Sequence, residues 1–515
     1  MADRFKNFVE GKWVDSANGT TFEDLNPANK TEVLGSFPRS DHRDVDKAVE
    51  SAKAHFSTWQ RIPAPRRAEI LFRAAEILVR RKDELAALIT REMGKVLQES
   101  LGEVQEAIDV VYYIAGEGRR LWGETTPSEL PDRFAMSVRV PLGMVAAITP
   151  WTSPLAISTW KLAPALVAGN TVVFKPAEDA PLMAMRLVEI LLEAGLPPGV
   201  VNLVHGYGEE AGAPLVRHPD VALVSFTGSS EVGREVAIGC AAEHKRVSLE
   251  MGGKNPILIL EDADLELAVD GVISGGFGTS GQRCSSASRL IVHRKALKEF
   301  TERLVARTGE LRLGDGMLPT TDVGPVVNEA QLKRVHGYTK IGGKEGAKLL
   351  CGGEIYKEGD CRKGFFYTPT IFGDVTPKMK IAQEEIFGPT LAIMPVGGLE
   401  EAIEVANASR YGLSSAIYTR DLTKAFRAIE ALGAGIISVN ATTTGAEVQL
   451  PFGGIRQTGN GHREGGRQAL DVFTEWKSIY IDYSGKLQRA QIDIEKEEPQ
   501  GGGAGGRGRR GETHG

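Results

Sequence analysis

Between residues 64 and 96, Ile70, Leu71, Ala74, Ile77, Leu78, Leu85, Leu88 and Ile89 recur at helical spacing, and the charged residues between them fall on the opposite face. The spacing predicts an amphipathic helical segment packed on a core. From Met144 the pattern changes to short apolar runs, MVAAIT, TVVFK, VVNLV, ALVSF and PILIL, separated by helix-length amphipathic stretches such as residues 182–194. Alternation of this kind predicts parallel strands joined by crossover helices. A second series follows Asp262, with strand-like SRLIVH, LAIMPV, SAIYT and GIISVN alternating with helical stretches near residues 297–311, 399–408 and 423–431. Two α/β domains are therefore expected. No repeat of constant period links them, which excludes a solenoid or propeller. Residues 134–140 alternate like a strand that would leave an open sheet edge unless paired.

Composition narrows the class of partner. The 515 residues are 42% hydrophobic and 25% charged, as in folded globular chains, and a length of this order favours two or three domains. With 61 Lys plus Arg against 67 Asp plus Glu, the net charge of −6 offers no general basic field for nucleic acid or an anionic membrane. No apolar run reaches the ~18 residues that cross a bilayer, and the first ten residues lack the apolar core of a secretory signal, so a cytoplasmic location is expected. Four scattered cysteines, Cys240, Cys284, Cys351 and Cys361, suit neither a disulfide scaffold nor a zinc site, and no metal is expected. Residues 500–515 hold eight glycines and three arginines without a large apolar side chain, and read as a disordered tail.

Candidate chemistry lies in a few glycine-rich junctions. FTGSSEVG, residues 226–233, follows the strand-like ALVSF and precedes a helical stretch, so its amides sit at a helix N-terminus where phosphate oxygens bind, although the spacing is not GxGxxG. Lys175 and Glu178 end the neighbouring run, at the edge where such sheets take ligands; they suit ribose hydroxyls or an exposed ion pair. Glu250 sits where a strand breaks into two glycines, and Cys284 follows SGGFGTSG. A thiol that attacks a carbonyl needs a base and donors for the developing oxyanion, and Cys plus Glu meets the first need. Arg283, beside Cys284, is expected to favour the thiolate.

Seven motifs in order, ITPW at 148–151, KPAE at 175–178, FTGS at 226–229, LEMGGKNP at 249–256, GQRC at 281–284, EEIFGP at 384–389 and LPFGG at 450–454, resemble the NAD(P)-dependent aldehyde dehydrogenase superfamily. The 34-residue separation of Glu250 and Cys284 also fits. The resemblance implies an α/β fold with a Rossmann-type cofactor domain from residues 1–122 and 142–252 and an α/β catalytic domain from 253–469. It further implies a small β oligomerisation element from 123–141 and 470–495, with an interface strand near 485–494, and a homodimer or homotetramer. By the same resemblance Cys284 is the nucleophile and Glu250 activates water for thioester hydrolysis. Ile148, Thr149, Pro150, Trp151, Lys175, Glu178, Gly208, Phe226, Gly228, Ser229, Gly233, Met251, Glu385 and Phe387 match cofactor positions. Lys161 and Glu475 match a proton-relay pair, and Arg283 is assigned to the substrate. NAD is expected, with NADP possible, since Glu178 would repel a 2′-phosphate.

One departure stands out. The family reads Pro-Trp-Asn where this chain reads Pro150-Trp151-Thr152, so an oxyanion donor is replaced by a shorter hydroxyl. ISTWKLAPAL and GQRC look nearest to members acting on carboxylate-bearing semialdehydes, including 2,5-dioxopentanoate. Two alternatives stay open: a CoA-acylating dehydrogenase, against which Glu250 counts, and a weakly active or inactive binding protein on this fold, for which Thr152 is the support.

Overall fold

The computed structural model describes residues 3–492, so the Gly/Arg tail at 500–515 lies outside the described residues. Two seven-stranded sheets dominate. In the first the strands run in the order Arg246–Glu250, Val221–Thr227, Met144–Ile148, Thr171–Lys175, Val201–Leu203, Asn7–Val9 and Lys12–Val14. The first five are parallel, because helices such as Ala156–Ala168 and Pro181–Glu193 carry the chain back between them. The last two form an antiparallel hairpin on the edge. Successive strands are added on one side of Met144–Ile148 until Val221–Thr227 returns to its other side, so the strand order reverses between these two.

The second sheet runs Lys348–Cys351, Thr370–Gly373, Thr390–Val396, Ala287–His293, Asn255–Ile259, Ser414–Tyr418 and Ile436–Val439, all parallel except the first. Each central strand is buried on both faces, which is why these runs read as continuously apolar rather than alternating.

The helical pattern at 64–96 is two helices, Ala64–Arg80 and Lys82–Met93, broken where Arg81 leaves helical geometry (φ −102°, ψ 14°). Gly94 closes the second in the left-handed conformation that a side chain resists (φ 94°). A small body of residues 122–139 and, among the described residues, 476–492 carries most of a three-stranded sheet of Glu124–Pro127, Arg133–Pro141 and Thr474–Asp482, in which the first two strands pair antiparallel. The C-terminal strand thus lies at Thr474–Asp482. Of the interface strand expected near 485–494, residues 485–492 are described and form no strand. Among the described residues, no helix is long and apolar enough to cross a membrane.

Candidate active site

Four stretches of the first sheet reach one edge in register: Ile148 pairs with Lys175 and with Phe226, and Thr227 with Glu250. The residues that follow them, 149–152, 176–178, 228–229 and 251–253, therefore emerge together at the carboxyl edge where the strand order reverses, the place where open α/β sheets bind ligands. The second sheet contributes from its opposite edge. Residues 252–254 lead into Asn255–Ile259, Cys284 precedes Ala287–His293, and Glu385 and Phe387 precede Thr390–Val396.

At the cofactor side, Ser229 accepts a hydrogen bond from the Val232 amide (3.2 Å) and caps the helix Ser230–Ala241. The Lys175 ammonium is buried, which lowers its pKa, and donates to Glu178 at 3.3 Å. The surface is cut close: a Cβ on Gly228 would lie 2.5 Å from the Phe226 ring, and one on Gly233 2.2 Å from Met251 Sδ. Gly208 opens the one-turn segment Gly208–Gly212, and a Cβ added there would meet no atom within 4 Å. The Trp151 and Phe387 rings meet edge to face at 5.5 Å. Glu385 accepts from the Gly253 amide at 2.9 Å, and burial lifts its carboxyl to about 7. Along this edge the Thr149 and Thr227 hydroxyls are buried without hydrogen-bond partners. Polar groups left unpaired inside a cleft suit a polar ligand that would satisfy them, and the residues fit a dinucleotide.

Beside it lies a cavity of about 250 Å³ whose wall includes Cys284, Glu250, Thr152, Arg283, Trp160 and Phe452. Cys284 is fixed through its carbonyl, which accepts from Asn255 Nδ2 at 2.8 Å. Burial, followed by the nearby carboxylates Glu250 and Glu385, pushes its thiol up to about 12. Glu250 is 3% exposed, and neither of its oxygens makes a hydrogen bond. Burial and the neighbouring Glu464 raise its pKa well above the usual carboxylate range. Space for it is provided by Gly453, where a Cβ would come within 2.5 Å of Glu250 Oε1. This accounts for one glycine of the LPFGG motif.

Two expectations need correction. Lys161, fully buried, pairs with Glu464 and donates to Ser225 Oγ at 3.2 Å, whereas Glu475 pairs with Arg246 at 2.5 Å. The reason is chain direction. Glu475 starts on an edge strand with its carboxylate half exposed, while Glu464 is bridged antiparallel to Phe452, which turns its side chain inward. Nor does Arg283 hold Cys284 as a thiolate. Its Nε donates to Thr279 Oγ1 at 2.9 Å, its Nη2 faces Glu99 Oε1 at 3.6 Å, and the thiol is raised rather than lowered.

Glu99, Glu103 and Glu106, absent from the sequence reading, lie on one face of the helix Leu97–Glu117 and line the cavity at i, i+4 and i+7. Lys95 donates to Glu103 at 2.6 Å and to the Thr152 carbonyl at 2.9 Å, while Glu103 accepts from the Leu155 amide at 2.9 Å, so the pair anchors the segment that carries Thr152. Thr152 itself faces the cavity. If Thr152 stands at the oxyanion position that the resemblance assigns to it, Thr152→Asn should raise kcat/KM about tenfold, part of the ~10²–10³ that one oxyanion donor contributes, because the amide is longer than the hydroxyl. Steady-state kinetics on the best aldehyde checks this; a rate at or below the parent's would make Thr152 a working part of the site.

The model of the Aldehyde dehydrogenase family matches residues 13–479. The chain is 41% identical to the alpha-ketoglutaric semialdehyde dehydrogenase of Bacillus subtilis, over 93% of its own length and 98% of the relative's. It is 42% identical to the 2,5-dioxopentanoate dehydrogenase of Saccharolobus solfataricus, over 91% and 98% respectively. Among solved structures, betaine aldehyde dehydrogenase of Staphylococcus aureus in complex with NAD+ superposes with a TM-score of 0.92 at 35% identity, covering 94% of this chain and 95% of that one.

Proposed function

The chain belongs to the aldehyde dehydrogenase family and oxidises an aldehyde to a carboxylic acid with NAD(P); from that premise we propose that its substrate is a carboxylate-bearing semialdehyde, 2,5-dioxopentanoate, and its preferred acceptor NAD. The observation that carries the substrate reading is Arg283, a guanidinium on the wall of the same cavity as Cys284. The three helix acids on the wall are already engaged: Glu103 by Lys95, Glu106 by Trp160 Nε1 at 2.9 Å with its carboxyl raised by burial, and Glu99 by the Thr279 amide, with Arg283 Nη2 3.6 Å from it. Two of the relatives described above are named for this substrate.

In the proposed mechanism the Cys284 sulfur adds to the aldehyde carbon, and the proton it loses passes to Glu250, the cavity base whose oxygens are unpartnered. The Cys284 amide and the Thr152 hydroxyl face the resulting oxyanion of the thiohemiacetal. Bound NAD(P) supplies the acceptor for the hydride that leaves this carbon. Trp151, Lys175, Glu178, Ser229, Glu385 and Phe387 would hold the cofactor. Glu250 gives up that first proton, is a carboxylate again before hydrolysis, and then takes a proton from water as the water adds to the thioester, so that Cys284 leaves as a thiolate and the acid is released. Lys161 and Glu464, behind Glu250, offer a route for that proton onward. Glu178 at the ribose position, with the Glu209 carboxylate also acting on the neighbouring Lys175, disfavours an added 2′-phosphate.

A second reading is a cationic aldehyde, favoured by the aromatic pair Trp160 and Phe452, 6.0 Å apart in the cavity. Kinetics with 2,5-dioxopentanoate, pentanal and betaine aldehyde, each with NAD and NADP, decides between them. The first substrate with NAD should give the highest kcat/KM, and Arg283→Met should raise its KM by roughly 10–100-fold while leaving that of pentanal within a few-fold, as expected on losing a charge-assisted contact. Preference for betaine aldehyde, or for NADP, would refute the corresponding part.

We also propose a homo-oligomer, supported by the exposed Phe134, Tyr480 and Ile481 on the small sheet. Light scattering at micromolar concentration should give a multiple of 55.5 kDa; a monomer mass would contradict it.

A further inference from the structure

Cys284 follows an unusual stretch of backbone. Thr279, Ser280 and Gly281 are consecutive left-handed residues (φ 51°, 55° and 68°), and only the third is a glycine. Side chains resist this conformation, so the turn persists only if its surroundings hold it. Part of the hold is visible: Ser280 Oγ donates to the Gly324 carbonyl at 2.7 Å, and Gln282 Oε1 accepts from the Val327 amide at 2.9 Å. These contacts secure the second half of the turn.

Its first residue is secured from the opposite wall. Glu99, in the first turn of the helix Leu97–Glu117, accepts from the Thr279 amide at 2.9 and 3.0 Å and from Thr279 Oγ1 at 3.1 Å. Thr279 Oγ1 in turn accepts from Arg283 Nε at 2.9 Å, and Arg283 Nη2 faces Glu99 at 3.6 Å. One carboxylate therefore satisfies the first left-handed residue's amide and hydroxyl together with the guanidinium next to the nucleophile. No residue of the oxyanion or cofactor set makes these contacts.

We propose that Glu99 is a positioning residue that holds the left-handed turn at residues 279–281 and so aims Cys284 into the cavity. It acts through the turn and takes no part in proton or hydride transfer. The carboxylate's oxygens, rather than its charge, provide the grip on the amide and hydroxyl, so an amide side chain of equal length retains most of it, while alanine loses it.

The test uses full-length Glu99→Ala and Glu99→Gln. The readouts are the pre-steady-state NADH burst with pentanal, the rate of Cys284 carboxamidomethylation by iodoacetamide followed by peptide mass spectrometry, NAD affinity, and Tm. Glu99→Ala should slow the burst at least tenfold and change the alkylation rate of Cys284 severalfold, with NAD affinity and Tm close to the parent's. Glu99→Gln should restore both rates to within about threefold. An alanine variant with parental burst and alkylation would overturn the proposal, as would a glutamine variant as impaired as alanine. Loss of NAD affinity and Tm together with the burst would also overturn it, since the residue would then be supporting the fold at large. Pentanal carries no charge, so these outcomes are independent of the substrate assigned to Arg283.

Discussion

Cys284→Ala is expected to lower turnover by roughly 10⁴-fold or more, because covalent catalysis has no substitute once its nucleophile is gone. Changing Cys240, Cys351 or Cys361 to alanine should leave it within a few-fold. Cys240 is core, with a thiol that burial pushes up to about 11; Cys361 is buried against the Leu313 carbonyl; Cys351 sits on the edge strand of the second sheet. None of the three lines the cavity. The environment of Cys284 adds a second expected result. Its thiol, at about 12, lies above the ordinary value because it is buried among carboxylates. Only a small fraction is thiolate near neutral pH, so the rate of alkylation of the free enzyme should keep rising through the alkaline range rather than level off near pH 8. A plateau at neutral pH would mean that a cation stabilises the thiolate after all. Persistent turnover in Cys284→Ala, or its loss in another Cys→Ala variant, would move the nucleophile elsewhere.

The frame of the fold was legible because it depends on local pattern. Runs such as TVVFK and PILIL are apolar throughout because both faces of a central parallel strand are buried, and each lies within a residue or two of an observed strand. Cys284 and Glu250 stood out at unusual glycine-rich junctions, but their roles were legible only through the resemblance of the seven ordered motifs to the family. What escaped depends on contacts distant in sequence. The break at Arg81 interrupts a periodicity that continues across it. The hairpin Asn7–Val9 and Lys12–Val14 is too short to stand out before its pairing with Val201–Leu203 is known. Glu99, Glu103 and Glu106 look like the solvated side of a helix until the loops carrying Cys284 and Thr152 are laid against them. Glu464 and Glu475 are both acids near the C-terminus, and only the bridge between Phe452 and Glu464 decides which one meets Lys161.

Glu250→Gln should separate the two halves of the reaction. The amide keeps the size of the side chain and the fit against Gly453, so cofactor affinity should be unchanged, but it cannot take a proton from water. Steady-state turnover should therefore fall by ~10²–10³, within the usual range for removing a general base. If acylation finds its proton acceptor elsewhere, for instance in bulk water, a burst of NADH survives and an acyl group accumulates on Cys284, visible as added mass on the intact protein. If Glu250 serves both steps, as the absence of another unpartnered carboxylate on the cavity wall suggests, the burst slows as well. The pH profile gives an independent check. Burial and Glu464 raise the pKa of Glu250, so the base form is gained only as pH rises through that raised value and is lost as pH falls through it. The parent's kcat should then climb with pH from the acid side, and in Glu250→Gln that limb should flatten. Adding CoA tests the acceptor: in the parent it should not change the product, because water activated by Glu250 reaches the thioester first, and a CoA ester formed in preference to the acid would reassign the second half-reaction. Parental turnover in Glu250→Gln, with the acid limb of the profile intact, would show that some other group activates the water.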